Sequence, residues 1–325
     1  MTDNLIYTTQ TPEPSAQTSA KAHHHKCSHH ELSPSRVVRV GAEFAGSAAV
    51  MFAIYALSTW GTIINSTSVL ALVGLGTALA YAAASLIFGR ASGGHFNPAV
   101  TFAGILTGVT QWLDGVLYII AQVLGALAAA GVWFLVTPTS QSITHRTWFG
   151  IVVNGFDSNN PAATLLGQNA GLSFGIQAAI AVELIFTIVV VAAFFSTVRS
   201  NGAPHKNHVM AIAAAYGVGA MVSYLVDGAG LNPARATGIA VFGAMNGMAT
   251  NPLTQLWVFW VAPLVAAAVV AFGFIIRDSV RAQRAETAAA VEALRAEKEA
   301  EAEAETEAEA AETDVPEVTV ETTEE

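Results

Sequence analysis

The chain has 325 residues, 53% of them hydrophobic and only 12% charged, with a mean hydropathy of +0.49. A soluble domain carries about a quarter charged residues, so this composition excludes an ordinary soluble globule and points to a bilayer as solvent. The net charge of −10 resides mostly beyond Arg277, and the single cysteine, Cys27, excludes an intramolecular disulfide.

Residues 1–35 are rich in Thr, Pro, Ser and His without an apolar period, and are expected to form a disordered tail. With no apolar stretch ahead of it, the first span is expected to act as the insertion signal. The tail holds His23, His24, His25, Cys27, His29 and His30. These residue types bind zinc, copper or nickel. A solvated tail is the preferred reading, and regulatory metal binding or pH sensing is the alternative.

Six apolar stretches follow, each long enough for a hydrocarbon core of roughly 30 Å. They are predicted at about 37–59, 69–88, 112–136, 172–197, 209–226 and 253–276. Glu43 lies inside the first, Gln122 inside the third and Glu183 inside the fourth. The connection 137–168 is polar and is expected to be an external loop. Beyond Arg277 the chain reads Ala and Glu with scattered Arg. Its first part can extend as a helix, and 297–325, with its blocks of like charge, is expected to be disordered. The 277–325 tail is read as a solvated acidic segment, with a partner-binding or gating element as the alternative.

Two short apolar runs, too short to cross, follow two related motifs. The first is Ser92-Gly93-Gly94-His95-Phe96-Asn97-Pro98-Ala99, and the second is Gly228-Ala229-Gly230-Leu231-Asn232-Pro233-Ala234-Arg235. Asn is a strong N-cap and Pro fits the first helical position, so each triplet should start a short helix. The Asn amides of Asn97 and Asn232 then keep N–H donors for a cavity. Gly93, Gly94, His95, Gly228 and Gly230 should line a path with backbone carbonyls, because irregular backbone at membrane depth must be satisfied by protein or water.

Three spans and a half-span therefore occur twice. Glu43 precedes Asn97 by 54 residues and Glu183 precedes Asn232 by 49. An odd number of crossings per unit makes the two copies inverted, a plan that moves solutes through membranes. Arg36, Arg39, Arg90, Arg199, Lys206, Arg277, Arg281 and Arg284 fall on one side, Arg146 and Arg235 on the other. Both termini should be cytoplasmic, and the membrane the plasma membrane. The two half-helix N-termini would place about half a positive charge each beside the lumen, which opposes cations and spares neutral solutes. Glu43 and Glu183 admit two readings: proton coupling in a secondary transporter, or acceptors for the loop N–H groups of their own repeats. Their symmetry favours the second.

On these motifs, residues 36–276 resemble the major intrinsic protein family, the aquaporins and glycerol facilitators, and in particular its bacterial aquaporin branch. The resemblance implies an all-α membrane fold of six transmembrane helices and two re-entrant half-helices, assembled as a homotetramer. It implies a passive channel for water. In the family, an Arg in the place of Arg235 forms the selectivity constriction. The positions twenty and twelve before the motif asparagines, carrying Phe and His in water-selective members, hold Thr77 and Ala220 here; Ala229 is the remaining member. Such small residues would widen the filter and admit glycerol, urea, hydrogen peroxide or ammonia, unless Tyr81, one turn from Thr77, intrudes. Glycerol facilitators place Asp after the motif Arg and a basic residue four further on. Here those places hold Ala236 and Ala240, which, with the run Leu256 to Trp260, favours the water branch. No cofactor, nucleic-acid partner or enzyme activity is expected. A closed-pore scaffold is a third class, supported only by the acidic tail.

Overall fold

The computed structural model describes residues 34–64, 68–161, 163, 171–199, 202–248 and 250–313. The His-rich cluster at 23–30 lies outside the described residues. Among the described residues, six helices are long and apolar enough to cross a membrane. They are α1 (Arg36–Ile64), α2 (Val69–Ser92), α4 (Trp112–Val136), α6 (Ile176–Ser196), α7 (His208–Asp227) and α9 (Val258–Thr313). Between them stand α3 (Pro98–Leu106), α5 (His145–Val152) and α8 (Pro233–Met245). Thus α3 and α8 are the half-helices, and both begin at the Pro of their motif.

The packing obeys the repeat. Helix α1 packs on α2 and α4, and α6 packs on α7 and α9. Half-helix α3 reaches across to α9, and α8 reaches across to α4. Exchanging the two halves leaves this pattern unchanged. Helices α2 and α7 cross at the pseudo-symmetry axis, where a Cβ on Gly74 would meet the Gly217 carbonyl at 2.9 Å and one on Gly217 would meet the Ala78 Cβ at 2.9 Å. Small residues at a crossing let two backbones approach in lipid, where no hydrophobic force drives helices together.

One end of the bundle is held by charge. Arg36 Nε and Arg39 Nη2 donate to the two carboxylate oxygens of buried Asp114, at 2.5 and 2.7 Å. This fixes the start of α1 against the start of α4.

Two expectations change. The connection after α4 is not merely a polar loop. It contains α5, whose Trp148, Phe149 and Val152 are buried, with spacing that puts them on one helix face. The acidic segment from 297 is helical as far as Thr313 rather than disordered. Ala, Glu, Lys and Arg are strong helix formers, and i,i+4 pairs such as Arg295 with Glu299 offset part of the like-charge repulsion.

Candidate functional site

The half-helices start alike. Asn97 (φ −154°, ψ 122°) accepts from Ala99 N at 2.9 Å, and Asn232 (φ −153°, ψ 111°) accepts from Ala234 N at 2.9 Å. These are the side-chain caps that the triplet chemistry predicts, with Pro98 and Pro233 in the first turn. Each asparagine also reaches the opposite motif. Asn97 Nδ2 donates to the Leu231 carbonyl at 2.8 Å, and Asn232 Nδ2 to the Phe96 carbonyl at 2.7 Å. The two N-termini are therefore tied end to end by reciprocal bonds.

The sequence leads one to expect the second donor of each amide to face a cavity, and it does not. Asn97 Nδ2 donates to the Tyr216 hydroxyl at 2.8 Å, and Asn232 Nδ2 to the Tyr81 hydroxyl at 2.8 Å. An amide nitrogen has two hydrogens. Both are spent, so a tyrosine oxygen holds the place that sequence reasoning reserved for a passing solute.

The residues just before the asparagines, Phe96 (φ 45°) and Leu231 (φ 52°), have left-handed backbone, which costs a non-glycine residue about 1–3 kcal/mol. The buried glutamates hold these residues. Glu43 accepts from His95 N (3.0 Å), Phe96 N (2.8 Å), Ser92 Oγ (2.6 Å) and Gln122 Nε2 (2.8 Å). Glu183 accepts from Leu231 N, at 2.9 and 2.8 Å to its two oxygens. Each carboxylate thus serves the loop of its own repeat. Gly230 must lack a side chain because a Cβ there would collide with Glu183 and Phe259. Gly93 and Gly94 have positive φ (96° and 71°), and His95 is buried with Nδ1 at 3.1 Å from Thr101 Oγ1.

One difference between the repeats adds a carboxyl to the second. Ser92, five residues before Asn97, donates to Glu43 and accepts from Gly94 N at 3.1 Å. Its counterpart is Asp227, which accepts from Ala229 N at 2.9 Å, while its carboxyl lies against that of Glu183. No donor among the described residues reaches Asp227 Oδ2. Asp227→Ser would restore the first repeat's arrangement, with a hydroxyl donor in place of a second carboxyl. We expect this variant to leave the thermal unfolding midpoint unchanged or raised, with a gain of about 1 kcal/mol. A clear drop in midpoint would show that the carboxyl pair supports the fold.

Arg235 is 2% exposed. Its Nη2 donates to the Gly228 carbonyl at 2.7 Å, and its Nη1 donates to Asn154 Oδ1. Asn154 Nδ2 in turn donates to the Asp227 carbonyl at 3.1 Å. Asn154 follows α5, so the α4–α6 connection supplies a residue that orients the guanidinium. Arg235 Nε has no hydrogen-bond partner among the described residues.

Thr77, Ala220, Ala229, Gly230 and Arg235 line one cavity, together with Ile54, Val73, Leu231, Tyr81 and Tyr216. It holds room for about one water molecule. The counting that placed the four filter residues in one constriction thus selects residues that face the same space. Tyr216 is missing from that reading, and so are Asn154 and Asp227.

Two half-helices joined at their N-termini, inside six membrane-length helices that repeat with inversion, define a multi-pass membrane protein built around one transverse path. A family model described as "Major intrinsic protein" matches residues 31–274. The chain belongs to this family. It is 33% identical over 217 residues to Aquaporin Z of Brucella melitensis, covering 63% of this chain and 84% of that protein. It is 34% identical over 238 residues to glycerol uptake facilitator protein-like 6 of Lactiplantibacillus plantarum, covering 71% and 94%. Among solved structures, the aquaglyceroporin from Plasmodium falciparum aligns with a TM-score of 0.55 at 18% identity, covering 74% of this chain and 96% of that one, which is a likeness of fold.

Proposed function

We propose that the protein is a passive channel that conducts water and opposes ions and protons. The observation that carries this reading is the reciprocal bonding of Asn97 and Asn232 across two half-helix N-termini. It sets the positive ends of two helices face to face beside the path. A cation meets this field unfavourably, while a neutral hydrogen-bonding molecule does not. Arg235 adds a full positive charge in the same cavity. The relatives named as aquaporins and as a glycerol facilitator support the class. With Thr77, Ala220 and Ala229 small, the outer filter by itself would also admit small neutral solutes.

The proton-coupled alternative would use Glu43 or Glu183. Both carboxylates are occupied by loop N–H groups, which supports a positioning role instead. Cytoplasmic termini, the plasma membrane and a homotetramer belong to the same proposal. Exposed apolar side chains along α2, such as Leu75, Leu79 and Leu86, leave an outer face for a second copy or for lipid.

The test is osmotic shrinkage of vesicles holding the purified full-length protein, with and without an imposed pH gradient. The expected result is shrinkage faster than in protein-free vesicles and indifferent to the gradient. Concentrative uptake that follows the pH gradient would replace this reading with the coupled one.

A further inference from the structure

Tyr81 and Tyr216 occupy equivalent places in the two repeats. Each stands sixteen residues before its motif asparagine. Tyr81 lies one turn inward of Thr77 on α2, and Tyr216 one turn inward of Ala220 on α7, so both sit directly beneath the outer filter residues. Their rings are stacked 5° from parallel with centroids 3.4 Å apart, and both side chains are buried. No water fits between rings in contact at that distance.

Face-to-face stacking is the arrangement that aromatic rings favour least, because their quadrupoles repel. Something other than ring attraction must hold the pair. Two anchors do so: the Asn232 amide on the Tyr81 hydroxyl and the Asn97 amide on the Tyr216 hydroxyl. The close crossing at Gly74 and Gly217 presses the two helices together beside them. The pair therefore fills the lumen at the level of the half-helix N-termini, and its hydroxyls take the donors that a permeating molecule would use.

We propose that the Tyr81–Tyr216 pair is the constriction that sets which solutes pass, displacing that role from the outer filter to the junction of the two half-helices. This rests on the channel reading above. Water crosses when a water oxygen replaces a tyrosine hydroxyl on an asparagine amide, an exchange of one hydrogen bond for a similar one. Glycerol and urea need both rings to part, and both rings are buried and tied to the asparagines. The small residues Thr77, Ala220 and Ala229 then form a wide entrance above a narrow seat, so their size does not broaden the solute range.

The experiment compares wild type with the double variant Tyr81→Val/Tyr216→Val, each as purified full-length protein in vesicles. Shrinkage under sucrose reads water, and reswelling under glycerol reads solute. Wild type is expected to exclude glycerol, and the valine pair to admit it at about ten times the wild-type rate or more, with water flux raised as well. The variant Tyr81→Phe/Tyr216→Phe keeps the ring bulk and is expected to exclude glycerol still. If the valine pair does not yield a folded protein, Tyr81→Leu and Tyr216→Leu alone should each raise glycerol entry. Wild type that already admits glycerol as fast as the valine variant overturns the proposal and leaves the channel reading intact. So does a folded valine variant that excludes glycerol. Water flux that appears only in the valine variant overturns the reading of the wild type as a water channel, and with it the proposal that the pair passes water. No flux above protein-free vesicles in any folded variant overturns both.

Discussion

Glu43→Ala is expected to yield no stable folded protein. The carboxylate is fully buried and receives four donors, two of them the backbone N–H groups of His95 and Phe96. An orphaned buried donor costs about 1–3 kcal/mol, so the two backbone groups alone lose roughly 2–6 kcal/mol. Phe96 is also in a left-handed conformation that these bonds maintain. Whole-protein stabilities are typically about 5–15 kcal/mol, so this one change removes a large part of the margin. Glu183→Ala should act similarly through Leu231. Glu43→Gln retains one acceptor oxygen and should fold with a lowered unfolding midpoint, conducting water as before. Size-exclusion profiles and thermal unfolding in detergent check this. An alanine variant that elutes and melts like the wild type would remove Glu43 from the account of the loop.

Arg235→Ala is expected to open the path to cations. At roughly 6 Å and an effective dielectric of about 20, a unit charge contributes about 3 kcal/mol to the barrier, a factor of roughly a hundred in cation entry. The change in sign matters as well. With the guanidinium gone, the Glu183 and Asp227 carboxyls lose the positive charge that they interact with. Proton and sodium leak into vesicles should rise toward that hundredfold bound, whereas Arg235→Lys, which keeps the charge and loses the fork to Asn154 and Gly228, should leak little. Equal tightness of the alanine variant and the wild type would mean that the half-helix ends alone exclude cations.

Much of this architecture is readable in the chain because its signals are local. Asparagine followed by proline dictates a capped helix start, and the apolar stretches around each motif are long enough to cross a bilayer. The spacing of Glu43 and Glu183 from the motifs marks them as a pair. What escaped depends on tertiary contact. Asn154 sits in a polar connection, and nothing in its neighbourhood says that it reaches Arg235. Asp227 and Tyr216 carried a signal that was available: they share their offsets from Asn232 with Ser92 and Tyr81 from Asn97. An N-cap accounts only for the side-chain oxygen of an asparagine and leaves its nitrogen unassigned. The partner of the nitrogen lies on another helix. In 297–325 the blocks of like charge argue for disorder, whereas alanine and glutamate favour helix, which runs as far as Thr313.

The central claim is that the joined half-helix ends pass a neutral molecule and stop a proton. It is tested most directly by recording water and proton movement in the same vesicles, with light scattering for volume and an entrapped pH dye for protons. The account predicts shrinkage faster than in protein-free vesicles while the dye signal stays at the protein-free rate. Proton entry rising in step with water flux would contradict it, as would wild-type shrinkage no faster than in protein-free vesicles.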